Sequence, residues 1–126
     1  MYKKLLVGVA LLAILTTVLA ACSIHDTGGP SGPTAHMGNA NFVQTSVTIS
    51  KGQSITLIDD VAVTHIIANG TWDNGAAKSA KESGAPNYNQ TFNGNDSSPL
   101  GPFTTSGTFH YYCTVHPGMN LTVTVQ

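Results

Sequence analysis

Arginine is absent from the chain, and Asp, Glu and Lys together make up only 9% of its 126 residues. A protein that grips a phosphate backbone needs clustered basic side chains, so nucleic acid is excluded as a partner. Catalytic signatures are missing too. There is no paired carboxylate set for acid–base work, no nucleophile triad and no phosphate-binding glycine loop, and Asp59 and Asp60 read as turn residues. The chain is therefore not read as an enzyme. Its length allows one compact domain and excludes two cooperating ones. Thirteen Gly and six Pro, with abundant Thr, Ser and Asn, disfavour long helices and suit short strands joined by turns. The fold class read from this is all-β.

Only one long hydrophobic run is present. Lys3 and Lys4 precede an uncharged apolar stretch from Leu5 to Ala21, and residues 1–21 read as an export signal. The end of the run, Leu19-Ala20-Ala21-Cys22, resembles the bacterial lipoprotein box, in which a peptidase cuts before a Cys whose thiol carries diacylglycerol. That resemblance implies lipidation at Cys22, export, and anchoring to the cell membrane on its periplasmic or extracytoplasmic face. A plain secretory signal and an uncleaved transmembrane anchor are the competing readings, because Leu5 to Ile24 holds no charge over about the 20 residues that cross a bilayer. Losing the first 21 residues leaves three Lys against six acidic residues, a net charge of −3 with neutral His. An exported protein with two Cys would ordinarily join them in a disulfide. A lipidated Cys22 leaves Cys113 alone, and a lone thiol in an oxidising compartment calls for a reason such as metal ligation.

Residues 22–40 are rich in Gly, Pro and small polar side chains and read as a flexible tether carrying His25, His36 and Met37, which are weak candidates for accessory metal contacts. The folded domain is expected over 41–126. Strand character appears at Phe42 to Ile49, Ser54 to Ile58, Val61 to Ala68, Tyr88 to Phe92, Thr108 to Cys113 and Leu121 to Val125, spaced as in an antiparallel sandwich. Turn signals include Lys51-Gly52-Gln53, Asn69-Gly70 and Ser106-Gly107. The AAKSAKES stretch has the propensity for a short helix. Alternation puts His65 on an apolar face with Val61, Val63 and Ile67, and Cys113 on one with Phe109 and Tyr111. Trp72 reads as packing, and His110 as a solvent-facing strand residue.

The chemistry concentrates near the C-terminus, where Cys113, His116 and Met119 recur at three-residue intervals between two strands. Thiolate, imidazole and thioether together favour copper over zinc, which seldom recruits a thioether. Two His and one Cys in a plane, with Met as a long axial ligand, make a blue-copper electron-transfer site. His65 is the candidate for the remaining nitrogen.

These residues resemble the cupredoxin family, in particular its amicyanin-like and plastocyanin-like members, whose short ligand loop also reads Cys-Thr-x-His-Pro-x-Met. The segment from Gly107 to Cys113 is similar to the family's Gly-x-aromatic-x-aromatic-x-Cys strand. The resemblance implies a Greek-key β-sandwich of about eight strands with one type 1 copper held by His65, Cys113, His116 and Met119. It implies a monomeric carrier of single electrons between a donor and an acceptor redox protein, with His116 as the edge through which electrons pass. The alternative function is a copper carrier or storage lipoprotein, with His36 and Met37 handing the metal in. One departure bears on the site: Ile66 stands where the family usually has Asn, which removes a side-chain bridge between the two ligand segments.

Overall fold

The structure, a computed structural model, describes residues 32–126. Residues 1–21, Cys22 and His25 lie outside the described residues. Nine strands follow in order: β1 (Thr34–Met37), β2 (Ser46–Ile49), β3 (Ile55–Asp59), β4 (His65–Asp73), β5 (Ala76–Ser79), β6 (Asn89–Phe92), β7 (Ser97–Leu100), β8 (Gly107–Cys113) and β9 (Asn120–Val125). They form one sheet in the order β1-β3-β7 and a second in the order β2-β9-β8-β4-β5, with β6 also paired to β4.

Alternation builds the core between the sheets. Ile55 and Leu57 of β3 face Phe109 and Tyr111 of β8 and Leu121, Val123 and Val125 of β9 across a single buried cluster. Side chains that alternate across a strand leave one apolar face per sheet, and burying both faces is what drives the sandwich together. Aromatic rings fill its centre, with Phe103 at 5.7 Å from Phe109 and edge-on to Tyr111 at 6.1 Å between centroids.

Several expectations are corrected. Nine strands among the described residues agree with a sandwich of about eight, but two pairings are parallel where antiparallel ones were expected, β1 with β3 and β2 with β9. The tether assigned to 22–40 gives up its C-terminal end: Thr34–Met37 is β1, so the folded unit starts before residue 41. Ala35 and Met37 are both 0% exposed, while His36 between them bonds Asp60 through Nδ1 at 2.8 Å. Two inward side chains are too few to register as a strand among flanking Gly and Pro, yet they complete the core.

The AAKSAKES stretch does not form a helix. Ala76–Ser79 pairs antiparallel with Gly70–Asp73, and the connecting Asn74 and Gly75 both have positive φ, 49° and 78°. Asn-Gly in this conformation closes a tight hairpin, and the hairpin overrides the helical preference of Ala and Lys. Asn69-Gly70, expected as a turn, lies inside β4. Gly70 has φ of 135°, and a Cβ there would come within 2.3 Å of the Lys78 carbonyl and 2.7 Å of the Tyr112 ring, so the close approach of β5 requires glycine. β7 escapes a pattern-based reading because Pro99 sits within it, a residue tolerated here because β7 is an edge strand.

Candidate metal centre

His65 is the first residue of β4, and Cys113 the last of β8. The two strands run antiparallel with Ile67 opposite Cys113, which brings His65, two residues upstream on the same face, beside the sulfur. The loop after β8 then returns to β9 within six residues. Its path is set by backbone hydrogen bonds from Cys113 N–H to the Met119 carbonyl at 3.0 Å and from Met119 N–H to the His116 carbonyl at 3.2 Å. Thr114 N–H donates to the Ile66 carbonyl at 2.8 Å. This main-chain bond ties the two donor-bearing segments together at Ile66, a residue whose own side chain can make no such bridge.

The donor atoms converge. Sγ of Cys113 lies 3.8 Å from Nδ1 of His65 and 3.3 Å from Nδ1 of His116, and the donor atoms of the three residues all lie within 4.8 Å of one another. A metal about 2 Å from each of three donors in a trigonal plane separates those donors by about 3.5 Å, so the observed spacing fits a small transition-metal ion. Thiolate with two imidazoles suits copper. His65, Cys113 and His116 are arranged as a copper site.

Burial grades across the centre. His65 and Cys113 are inaccessible, His116 is half-buried, and beside it Val115 is 49% exposed, with Pro117 and Gly118 also at the surface. Met119 is buried at the end of the same loop. Burial lowers the pKa of the His65 ring; the Asp59 carboxylate partly opposes this, His116 adds to it, and the Gly38 backbone offsets it slightly. Desolvation disfavours the cation, and a neutral imidazole is the form that can ligate.

Neighbours that the sequence reading treated as ordinary support the loop. Nε1 of Trp72 donates to the Cys113 carbonyl at 2.8 Å. The backbone of the same residue exchanges two bonds with the Asn120 side chain: Trp72 N–H donates to Oδ1 at 2.8 Å and Asn120 Nδ2 donates to the Trp72 carbonyl at 3.0 Å. Asp59, read as a turn residue, is a buried carboxylate whose Oδ1 is 3.8 Å from Nε2 of His65. A charged residue at a strand end looks solvated in sequence; here it lies beside Met37 of the paired β1 and against His65, with its side chain 0% exposed. His110 does face outward as expected, bonded through Nδ1 to Glu82 at 2.6 Å.

Of the accessory candidates, His25 lies outside the described residues, and His36 and Met37 have other partners. His36 is taken by Asp60, and Met37 is part of the core.

Comparison with known proteins agrees with this geometry. The profile of copper binding proteins of the plastocyanin/azurin family matches residues 33–126. A plastocyanin from Ulva prolifera is 30% identical over 91 residues, which is 71% of this chain and 90% of that protein. Among solved structures, amicyanin from Paracoccus versutus superposes with a TM-score of 0.60 at 17% identity, covering 79% of this chain and 86% of that one. A purple cupredoxin from Nitrosopumilus maritimus superposes at 0.57 with 22% identity, covering 75% of this chain and all of that one, 100%. The last two share the fold.

Proposed function

Because the chain belongs to the plastocyanin/azurin family of copper-binding proteins, we propose that it is a one-electron carrier. It works outside the cytoplasm, held at the membrane by a lipid on Cys22, and passes electrons between a donor and an acceptor redox protein. The observation that carries this reading is the convergence of His65, Cys113 and His116, of which only His116 approaches the surface. When bound there, copper supplies a one-electron couple between Cu(I) and Cu(II).

What the residues contribute is constancy of position. His65 and Cys113 begin and end paired strands, and the Thr114–Ile66 and Trp72–Cys113 hydrogen bonds pin the loop between them. Ligands that barely move between oxidation states keep the nuclear barrier to electron exchange low. Met119, buried at the end of the same loop, would supply a thioether as the fourth donor, and four protein donors would suit electron exchange better than substrate binding at the metal. His116 offers the outward edge, and Val115, Pro117 and Gly118 give it a small apolar rim suited to brief docking. Storage or delivery of copper is disfavoured, since the two residues that would hand metal in, His36 and Met37, are occupied elsewhere.

The test is to express residues 23–126 with Cu(II) and record visible and paramagnetic resonance spectra beside a Cys113→Ser control. Intense thiolate-to-copper absorption lost in the control supports the reading; a pale spectrum indifferent to the substitution overturns it. Labelling of the full chain with a radioactive fatty acid, abolished by Cys22→Ala, tests the anchor.

A further inference from the structure

Asp59 presents an unexplained charge. Its side chain is wholly buried at the end of β3, where Oδ1 accepts a 3.3 Å hydrogen bond from Val61 N–H and its own N–H donates to the Asp96 carbonyl at 2.8 Å. That turn uses one oxygen, and the neutral amide of Asn would serve it equally. Oδ2 has no partner. Leaving a carboxylate desolvated and half-satisfied costs several kcal/mol in general, so something must balance it.

The facing group is a copper ligand. Nε2 of His65, likewise buried and without a hydrogen-bond partner of ordinary length, lies 3.8 Å from Asp59 Oδ1, and the Gly38 backbone is the other group that favours a proton on this ring. That separation is too long for a hydrogen bond. Nδ1 of the same ring points at Cys113 Sγ, so ligation through Nδ1 requires the proton to sit on Nε2, directed toward the carboxylate. Hydrogen bonds around a reactive group that are long beforehand commonly tighten once the group is engaged. The other charged groups nearby are directed elsewhere: Asp60 is bonded to His36, and Asp96 Oδ2 accepts from Asn93 N–H at 3.2 Å.

We propose that Asp59 is the positioning residue for His65, accepting its Nε2–H so that Nδ1 is held toward the metal, and that its buried charge favours the oxidised, more positive state of the centre. Carboxylate behind a ligating histidine both fixes the tautomer and strengthens the ligand. A buried negative charge on the far side of the His65 ring would stabilise Cu(II) over Cu(I) and hold the reduction potential down. This inference rests on the copper centre described above.

Three measurements test it. In metal-free wild-type protein, imidazole nitrogen NMR is expected to find His65 protonated on Nε2; protonation on Nδ1 overturns the proposal without any substitution. In copper-loaded Asp59→Asn, which keeps the shape and an acceptor but loses the charge, the ratio of Cu(I) to Cu(II) affinity is expected to rise about tenfold, equivalent to about 59 mV for one electron. A coloured, folded variant with an unchanged ratio overturns it. Asp59→Leu removes the acceptor as well, and Cu(II) affinity by chelator competition is expected to fall about 10- to 100-fold; a change under about twofold overturns it. Failure of the copper reading looks different, since the wild-type protein would then stay colourless in Cu(II).

Discussion

Trp72 and Cys113, 41 positions apart, are joined by a 2.8 Å hydrogen bond from the indole nitrogen to the carbonyl of the residue that supplies the thiolate. Because Asn120 grips the backbone of the same Trp72, both ends of the ligand loop are referenced to one point on β4. The loop is thereby held to the sheet by polar contacts that do not involve the metal.

Replacing the indole removes a donor and leaves the Cys113 carbonyl unsatisfied. Trp72→Phe is expected to lower the unfolding free energy of the metal-free protein by about 1–3 kcal/mol. Urea denaturation followed by far-ultraviolet dichroism reads this directly. A loss below about 0.5 kcal/mol would mean that the contact contributes nothing.

Truncation in β1 separates a core strand from a tether. Met37→Ala empties a wholly buried position and is expected to cost about 2–5 kcal/mol. His36→Ala breaks only a partly exposed pair with Asp60 and should cost under about 1 kcal/mol. Equal, negligible effects at both positions would return residues 34–37 to the linker.

Exchange of the axial candidate addresses Met119. Met119→Leu keeps the volume but removes a sulfur donor, and losing electron donation disfavours Cu(II). Copper is expected to stay bound while the reduction potential rises, by about 59 mV for each tenfold change in relative affinity. Voltammetry that finds no shift would exclude the thioether from the coordination sphere.

Alkaline stability follows from Tyr111. Burial, reinforced by the nearby Glu82 charge, raises its pKa above the ordinary value of 10.0. Above pH 10 the unfolded chain releases the phenolic proton while the folded one keeps it, so the folded state binds more protons and stability falls as pH rises. The slope approaches about 1.4 kcal/mol per pH unit between the two pKa values. Denaturation from pH 9 to 11 checks it, and Tyr111→Phe should flatten the decline.

Much of this molecule is written in local pattern. The alternation of Phe109, Tyr111 and Cys113, and of Leu121, Val123 and Val125, specifies strands and faces together. The Cys113–His116 spacing marks the loop on which two of the converging donors lie. What stayed hidden depends on partners distant in sequence. Neither Ala35 nor Met37 signals a strand until β3 lies beside them, and Asp59 reads as solvated until β1 and His65 enclose it. Ala76–Ser79 has helical composition, and only the Asn74-Gly75 hairpin and an adjacent β4 edge make it extended. Residue-level chemistry is local, whereas burial belongs to the assembled sheets.

The parallel pairing of β1 with β3 also gives the domain a polarity. Thr34 lies beside Thr56 and Met37 beside Asp59, so the chain enters at one pole and runs toward the pole that carries His65. Five residues of β3 set those poles about 13 Å apart or more. An anchor of the kind proposed at Cys22 would therefore pull on the pole opposite His65 and leave the His116 edge outermost, whereas an antiparallel first strand would have moored the chain next to its own ligands.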